Sequence, residues 1–276
     1  MTEFEFGLEI ECSVMNITFP IGGYHCGTRI SRNWQTEHDG SLNASRSNMQ
    51  CVEFVSRKFK MHELEDMIYS LKFLVDPLTP DKFVGFNINE SCGAHIHFSP
   101  VGNKGRLDGV IPLGYMVRAR EMIHKRVKEN FSASIYDKFS KHYRRSYAKT
   151  TDPLMAYPSN FRQRNIEFNG THKTGMEWRS FNLLGVRKWS DMIKMYTHAF
   201  ETITEVFGPL FDAPKPDLKK IEEKLPKRVW SKTVQNVERC DKIVVPKKLE
   251  SEQKVIVNVM DTIQRNGVLC PYESVE

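Results

Sequence analysis

Three short segments carry residues able to hold a cation beside a phosphate: Gly7-Leu8-Glu9-Ile10-Glu11, Cys92-Gly93-Ala94-His95-Ile96-His97 and Gly175-Met176-Glu177-Trp178-Arg179. In each, the polar residues stand two apart, and residues two apart project from one face of a β-strand. Three such strands would bring carboxylates, imidazoles and one guanidinium to a common surface. Carboxylates with an imidazole suit a divalent cation, and Arg179 offers a phosphate oxygen a planar fork of donors.

The elements that must position these groups are legible around them. Phe4, Phe6, Leu8, Ile10 and Cys12 alternate with Glu3, Glu5, Gly7, Glu9 and Glu11, so a strand over about 3–12 has one core face and one acidic face. Carboxylates on that face sit about 7 Å apart and repel unless water, a cation or basic side chains neutralise them. A solvated strand also carries glutamates, so this segment alone is bland. A second strand is predicted near 50–59, after a glycine-rich loop through Gly22-Gly23 and Gly27.

From Met61 the apolar residues Leu64, Met67, Ile68, Leu71, Leu74 and Val75 recur at helical spacing and stop before Pro77. The His95 and His97 strand follows, then helical stretches over 116–131 and 135–147. A strand pair is predicted at 165–168 and 175–182, turning at Asn169-Gly170. Ser190 is expected to cap a helix reaching Phe207, with Ile193, Tyr196, Phe200, Ile203 and Phe207 on its inner side. That helix closes a main domain of residues 1–212. Ala213-Pro214-Lys215-Pro216 then opens a basic, mainly helical C-terminal extension over 213–276, with helices near 217–224 and 250–265.

Composition sets outer bounds. With 276 residues, 40% of them hydrophobic, the chain can bury one large core with or without an appendage. No apolar run approaches the ~20 residues of a membrane span, and Met1-Thr2-Glu3-Phe4 begins a strand instead of a signal peptide, so a cytoplasmic location is expected. Cys12, Cys26, Cys51, Cys92, Cys240 and Cys270 show no CxxC spacing, which predicts reduced, mostly buried thiols. The net charge of +6 gathers at Arg144-Arg145, Lys215 to Arg228 and Lys242 to Lys248. That balance is compatible with an acidic ligand such as ATP. Basic residues interleaved with Tyr143, Tyr147 and Trp230 also fit a nucleic-acid partner, although solvated helix faces give the same composition more often.

Each chemical segment has a plainer reading. A lone histidine is usually a satisfied polar residue, but two on one strand face bring metal binding level with that reading, and a zinc hydrolase would use such a pair. Glu177 and Arg179 alone would make an ordinary ion pair.

The order of motifs resembles the amidoligase group of the glutamine synthetase and glutamate-cysteine ligase superfamily. The resembling residues are Gly7-Leu8-Glu9-Ile10-Glu11, Asp39-Gly40-Ser41, Glu53-Phe54-Val55-Ser56, Cys92-Gly93-Ala94-His95-Ile96-His97 and Glu177-Trp178-Arg179, within roughly the first 185 residues. Arg57 stands where members often carry Pro, and Trp178 where Phe is common. Neither departure removes a ligand.

The resemblance implies an α+β fold: a curved antiparallel sheet of the glutamine synthetase catalytic type, with helices on its convex face. It implies ATP and magnesium, or manganese, on the concave face. Glu9, His95 and Glu177 would hold the cation nearest the nucleotide; Glu11 and Glu53, with Asp39, would hold one nearer the acceptor carboxylate. Arg179 would contact the transferring phosphoryl group and Asp39 would take a proton from the attacking amine. His172 and Arg164 are candidates for the nucleotide phosphates, with Arg144, Arg145 and Arg162 as further phosphate or carboxylate contacts. Trp34 would line the acceptor pocket or belong to the core. The expected partners are a carboxylate and an amine, drawn from amino acids, peptides or protein side chains, and homo-oligomers are compatible. A zinc or other metal-dependent hydrolase using His95 and His97, and a catalytically inactive nucleotide-binding relative, remain alternatives.

Overall fold

The alternation in the first segment produces the strand around which everything else is arranged. In the computed structural model, which describes residues 2–15, 17–24, 26–103, 113–142, 168–169 and 175–212, β1 runs Phe4–Met15 through the middle of an antiparallel sheet. Beside it lie β4 (Met49–Ser56) and β7 (Ala94–Pro100). Beyond β4 come β3 (Trp34–Glu37) and the edge strand β2 (Thr28–Arg29). Beyond β7 come β9 (Met176–Trp178) and the edge strand β8 (Phe168–Asn169). Two-residue strands β5 (Phe59–Lys60) and β6 (Phe86–Asn87) pair with opposite ends of β1.

Four α-helices complete the described fold: α1 (Leu64–Val75), α2 (Leu113–Asn130), α3 (Ala133–His142) and α4 (Trp189–Asp212). The architecture is mixed α+β. No described helix is long and apolar enough to cross a membrane.

The apolar side of β1 is covered by aromatic contacts with α4. Phe6 stacks on Phe200 at 3.9 Å, Phe98 on Phe207 at 5.2 Å, and Phe4 meets Phe211 at 5.8 Å. The stripe of α1 that points inward is Leu64, Met67, Ile68, Leu71 and Val75, all buried. Trp34 belongs to this side. Its Nε1 donates to the Met67 carbonyl at 3.2 Å and to Ser70 Oγ at 2.9 Å, so it is core and does not line a pocket on the other face.

Several element ends differ from expectation for identifiable reasons. Ser190 is not the cap of α4: the helix begins one residue earlier, and Asp81 accepts both the Ser190 N–H (2.9 Å) and its hydroxyl (2.8 Å). Nor does α4 stop at Phe207. It continues through Pro209 to Asp212, where Phe211 packs on Phe4 and compensates for the hydrogen bond that proline cannot make. β9 ends at Trp178 because Asn182 turns away, donating to the Phe139 carbonyl at 3.2 Å and accepting from Leu184 N–H at 3.1 Å. Cys12, Cys26, Cys51 and Cys92 are free thiols, with Cys12 and Cys92 buried and Cys26 exposed. The C-terminal extension, with Trp230, Cys240 and Cys270, lies outside the described residues, as do Tyr143 and Tyr147.

His124 on α2 makes the fold sensitive to acid. It stands edge-on to Tyr136 and Phe139, and burial, with Arg120 adding, pushes its pKa down to about 4. Between pH 6.5 and 4 the unfolded chain therefore binds a proton that the folded chain refuses, so stability falls as pH falls through that window. His124→Phe should flatten the dependence by about 1–3 kcal/mol between pH 7 and 4, read from urea midpoints. Equal pH slopes for parent and variant would show that His124 titrates normally.

Candidate metal and phosphate site on the polar sheet face

Strand register sorts the polar side chains into three rungs, since directly paired residues share a face. The first rung crosses three strands as Glu37, Glu53 and Glu11. The second sets Glu9 opposite His95, with Val55 and Gln35 continuing across β4 and β3. The third is Gly7, His97 and Glu177. All five metal candidates expected from sequence, Glu9, Glu11, Glu53, His95 and Glu177, therefore share one face.

Side-chain distances tighten this picture. Glu9 Oε1 lies 2.7 Å from His97 Nε2, and its Oε2 lies 3.1 Å from His95 Nδ1. The same His95 nitrogen is 3.3 Å from Glu177 Oε1, which also accepts from Arg179 Nη1 at 2.6 Å. Ligand atoms of Glu9, His97 and Glu177 all lie within 4.8 Å of one another, close enough to share one ion. Two carboxylates and one imidazole form a mostly oxygen donor set that suits magnesium or manganese, and zinc also accepts it.

Sequence reasoning assigned the imidazole of this set to His95 and reserved His97 for the hydrolase alternative; the structure brings both rings to the carboxylates. The signal for His97 was its spacing of two from His95. Glu37 was missed altogether, and the alternation of Trp34 and Thr36 with Gln35 and Glu37 was the available clue.

The electrostatics follow from crowding buried charges. Burial opposes ionisation of Glu9, but His97 first and then His95 outweigh it and hold the carboxyl well below its usual range. Burial likewise disfavours a charged His95, yet Glu9, Glu177 and Glu11 raise it to about 9. His97 is raised for the same reason, chiefly by Glu9. On the acidic rung, burial pushes Glu11 up, and burial with repulsion from Glu9 and Glu11 pushes Glu53 to about 8. Near neutral pH a His95 imidazolium and a protonated Glu53 thus offset part of the cluster's negative charge. A divalent cation supplies the same neutralisation.

Arg179 and Asp39 stand at different distances from this cluster. Arg179 is partly buried, and its Nε finds no partner among the described residues while Nη1 grips Glu177. A planar guanidinium with a spare buried donor fits an anionic oxygen beside the carboxylates. Asp39 sits in the loop after β3, where Oδ1 accepts the Ser41 N–H at 2.7 Å. Its charge reaches Glu11 and Cys51. His172, Arg164, Arg144, Arg145 and Arg162 lie outside the described residues.

Gly93 is where the backbone closes on the site. Its N–H donates to Glu11 Oε2, and its carbonyl accepts from Glu11 N–H at 3.1 Å. A Cβ at this position would lie 2.7 Å from His95 Nε2 and 3.1 Å from Glu11 Oε2. Gly93→Ala should therefore shift both side chains and weaken manganese binding about 10- to 100-fold, the range seen when ligand-orienting contacts are lost. Calorimetry on a variant with parental circular dichroism would measure it. Undiminished affinity would separate the Gly93 turn from the cation site.

No family profile matches the chain, and no curated protein matches it. Among solved structures it is similar to a glutamine synthetase from Plasmodium falciparum, with a TM-score of 0.31 and 9% identity, over 74% of this chain and 52% of that one. The chain thus spans about half the length of that protein. A likeness this slight leaves the site to be read from its own residues.

Proposed function

We propose that the protein is a cytoplasmic ATP- and magnesium-dependent carboxylate-amine ligase, an amidoligase built on a sheet of the glutamine synthetase type. One observation carries the reading: the segments that resemble amidoligase motifs converge on one sheet face, with Glu9, His95, His97, Glu177 and Arg179 linked at 2.6–3.3 Å.

A carboxylate is a poor electrophile because its oxygen is a bad leaving group. Phosphorylation by ATP, with loss of ADP, turns it into an acyl phosphate that an amine then attacks, expelling phosphate. Bound magnesium would supply charge neutralisation on the phosphates. Glu9 and Glu177, with an imidazole from the histidine pair, would hold the ion nearest the nucleotide. Glu11 and Glu53, with Asp39, would hold one nearer the acceptor carboxylate. Arg179 would turn its fork to the transferring phosphoryl oxygens, and Asp39 would take the proton that the amine loses.

The first test is metal-dependent nucleotide binding. Without a divalent cation the clustered carboxylates repel a triphosphate, so calorimetry should find at least 10-fold weaker ATP binding in EDTA than with magnesium. Phosphate release across a panel of carboxylate and amine pairs would then identify substrates. Equal ATP affinity with and without EDTA would count against the site as drawn.

His97 within the three-residue ligand group favours one second reading, a zinc hydrolase. Elemental analysis separates the two. A stoichiometric equivalent of tightly held zinc would support hydrolysis, whereas a ligase should contain little zinc and need added magnesium or manganese.

A further inference from the structure

Past the rung of Glu37, Glu53 and Glu11, the polar side of β1 continues to Ser13, two residues beyond Glu11. Two loops meet there: residues 38–48, which join β3 to β4, and residues 88–93, which join β6 to β7. Asp39 belongs to the first, and Gly93, whose N–H donates to Glu11, ends the second.

One side chain joins the two loops. Asn89 uses its carbonyl locally: Oδ1 accepts the Ser91 N–H at 2.8 Å and the Ser91 hydroxyl at 2.7 Å, an Asx turn that leads into Cys92 and Gly93. Its Nδ2 reaches the other loop, donating to the Asn43 carbonyl at 2.7 Å and to Ser45 Oγ at 2.9 Å. The Asn43 N–H completes the clasp by donating to Ser91 Oγ at 2.9 Å. Ser45 Oγ also accepts from Asn87 Nδ2 and lies 3.4 Å from Ser13 Oγ, which accepts the Ser45 N–H at 3.3 Å.

Little else fixes the loop that carries Asp39. Apart from the Arg46–Met49 turn that opens β4, every hydrogen bond among the described residues that ties 38–48 to another segment passes through Asn43 or Ser45. Asp39 itself bonds within its own loop, to the Ser41 N–H. Its charge and that of Glu11 repel each other. Like charges so placed move apart unless the backbone holds them or a cation joins them.

We propose that Asn89 is a positioning residue, whose Nδ2 holds residues 38–48, and Asp39 with them, beside Glu11 and Glu53 before any cation arrives. The inference rests on the reading above in which Asp39, Glu11 and Glu53 hold the cation nearer the acceptor carboxylate. Ligands that are already in place bind an ion without first ordering a loop against their own repulsion. Asn89 touches neither ion nor substrate and acts through Asp39.

Manganese binding to the full-length protein, followed by the loss of the free ion's paramagnetic resonance signal, tests this without a substrate. The parent should show two classes of bound manganese, and Asp39→Asn should weaken one of them. Asn89→Asp keeps the oxygen that builds the turn but loses both Nδ2 donors. Its added negative charge would by itself tighten cation binding, whereas lost positioning should weaken the Asp39-dependent class about 10- to 100-fold and spare the other. In an Asp39→Asn background the same change should have little further effect, because the two residues act as one unit. Ser45→Ala, which removes the oxygen that Asn89 grips, should act in the same direction and serves as a second probe if Asn89→Asp folds poorly. Parental or tighter affinity in both variants, equal weakening of both classes, or effects that simply add to Asp39→Asn overturn the proposal while leaving the ligase reading intact. A parent that binds a single class, indifferent to Asp39→Asn, overturns the proposal together with the second cation of that reading.

Discussion

Arg179→Lys is expected to fold as the parent does and to lower ATP-dependent turnover about 10- to 1000-fold, corresponding to about 1.4–4 kcal/mol of lost transition-state stabilisation. Lysine keeps the charge and can still meet Glu177, which accepts from Arg179 Nη1 at 2.6 Å. What it lacks is the rest of the planar fork, including the Nε donor that is buried without a partner among the described residues. The loss should fall on turnover with little change in magnesium binding, which would distinguish a phosphoryl contact from a strut for Glu177. A variant with near-parental turnover would reduce Arg179 to a structural partner of that carboxylate.

Phe200→Ala is expected to cost about 3–5 kcal/mol of folding stability, measured as a shift in the urea midpoint at constant slope. Phe200 is fully buried, stacks on Phe6 with 7° between the rings, and stands 5.8 Å from Phe59. It therefore joins α4 to both β1 and β5. The loss combines the transfer of the ring with a cavity under the strand whose other face bears Glu9 and Glu11. A cost below about 1 kcal/mol would mean that the core relaxes around the missing ring.

The central strand was legible because one face is core and the other is not, so a period of two is written without interruption from Phe4 to Cys12. The inner stripes of α1 and α4 were legible for the same reason at a period near four. Element ends were not, because their causes lie far away in sequence: Asp81 caps α4 across 109 residues, and Phe4 holds the helix together beyond Pro209. In the site, residue types marked the ligands, but only strand register could show that Glu37 joins Glu53 and Glu11, or that His97 rather than a more distant group faces Glu177. Trp34 was ambiguous because a tryptophan near a loop can serve either face. Its indole N–H on the α1 backbone decides it.

The polar face is anchored unequally. Glu9 and Glu11 belong to a twelve-residue strand with neighbours on both sides, whereas Glu177 is presented by a strand of three residues. Short strands at a sheet margin open locally at a small fraction of the global unfolding free energy. An ion shared between Glu9 and Glu177 would bind the closed arrangement alone, and so would suppress that opening by mass action. Site occupancy is then written into amide hydrogen exchange at Met176, Glu177 and Trp178, which becomes a reporter of ligand binding that requires no knowledge of the substrate.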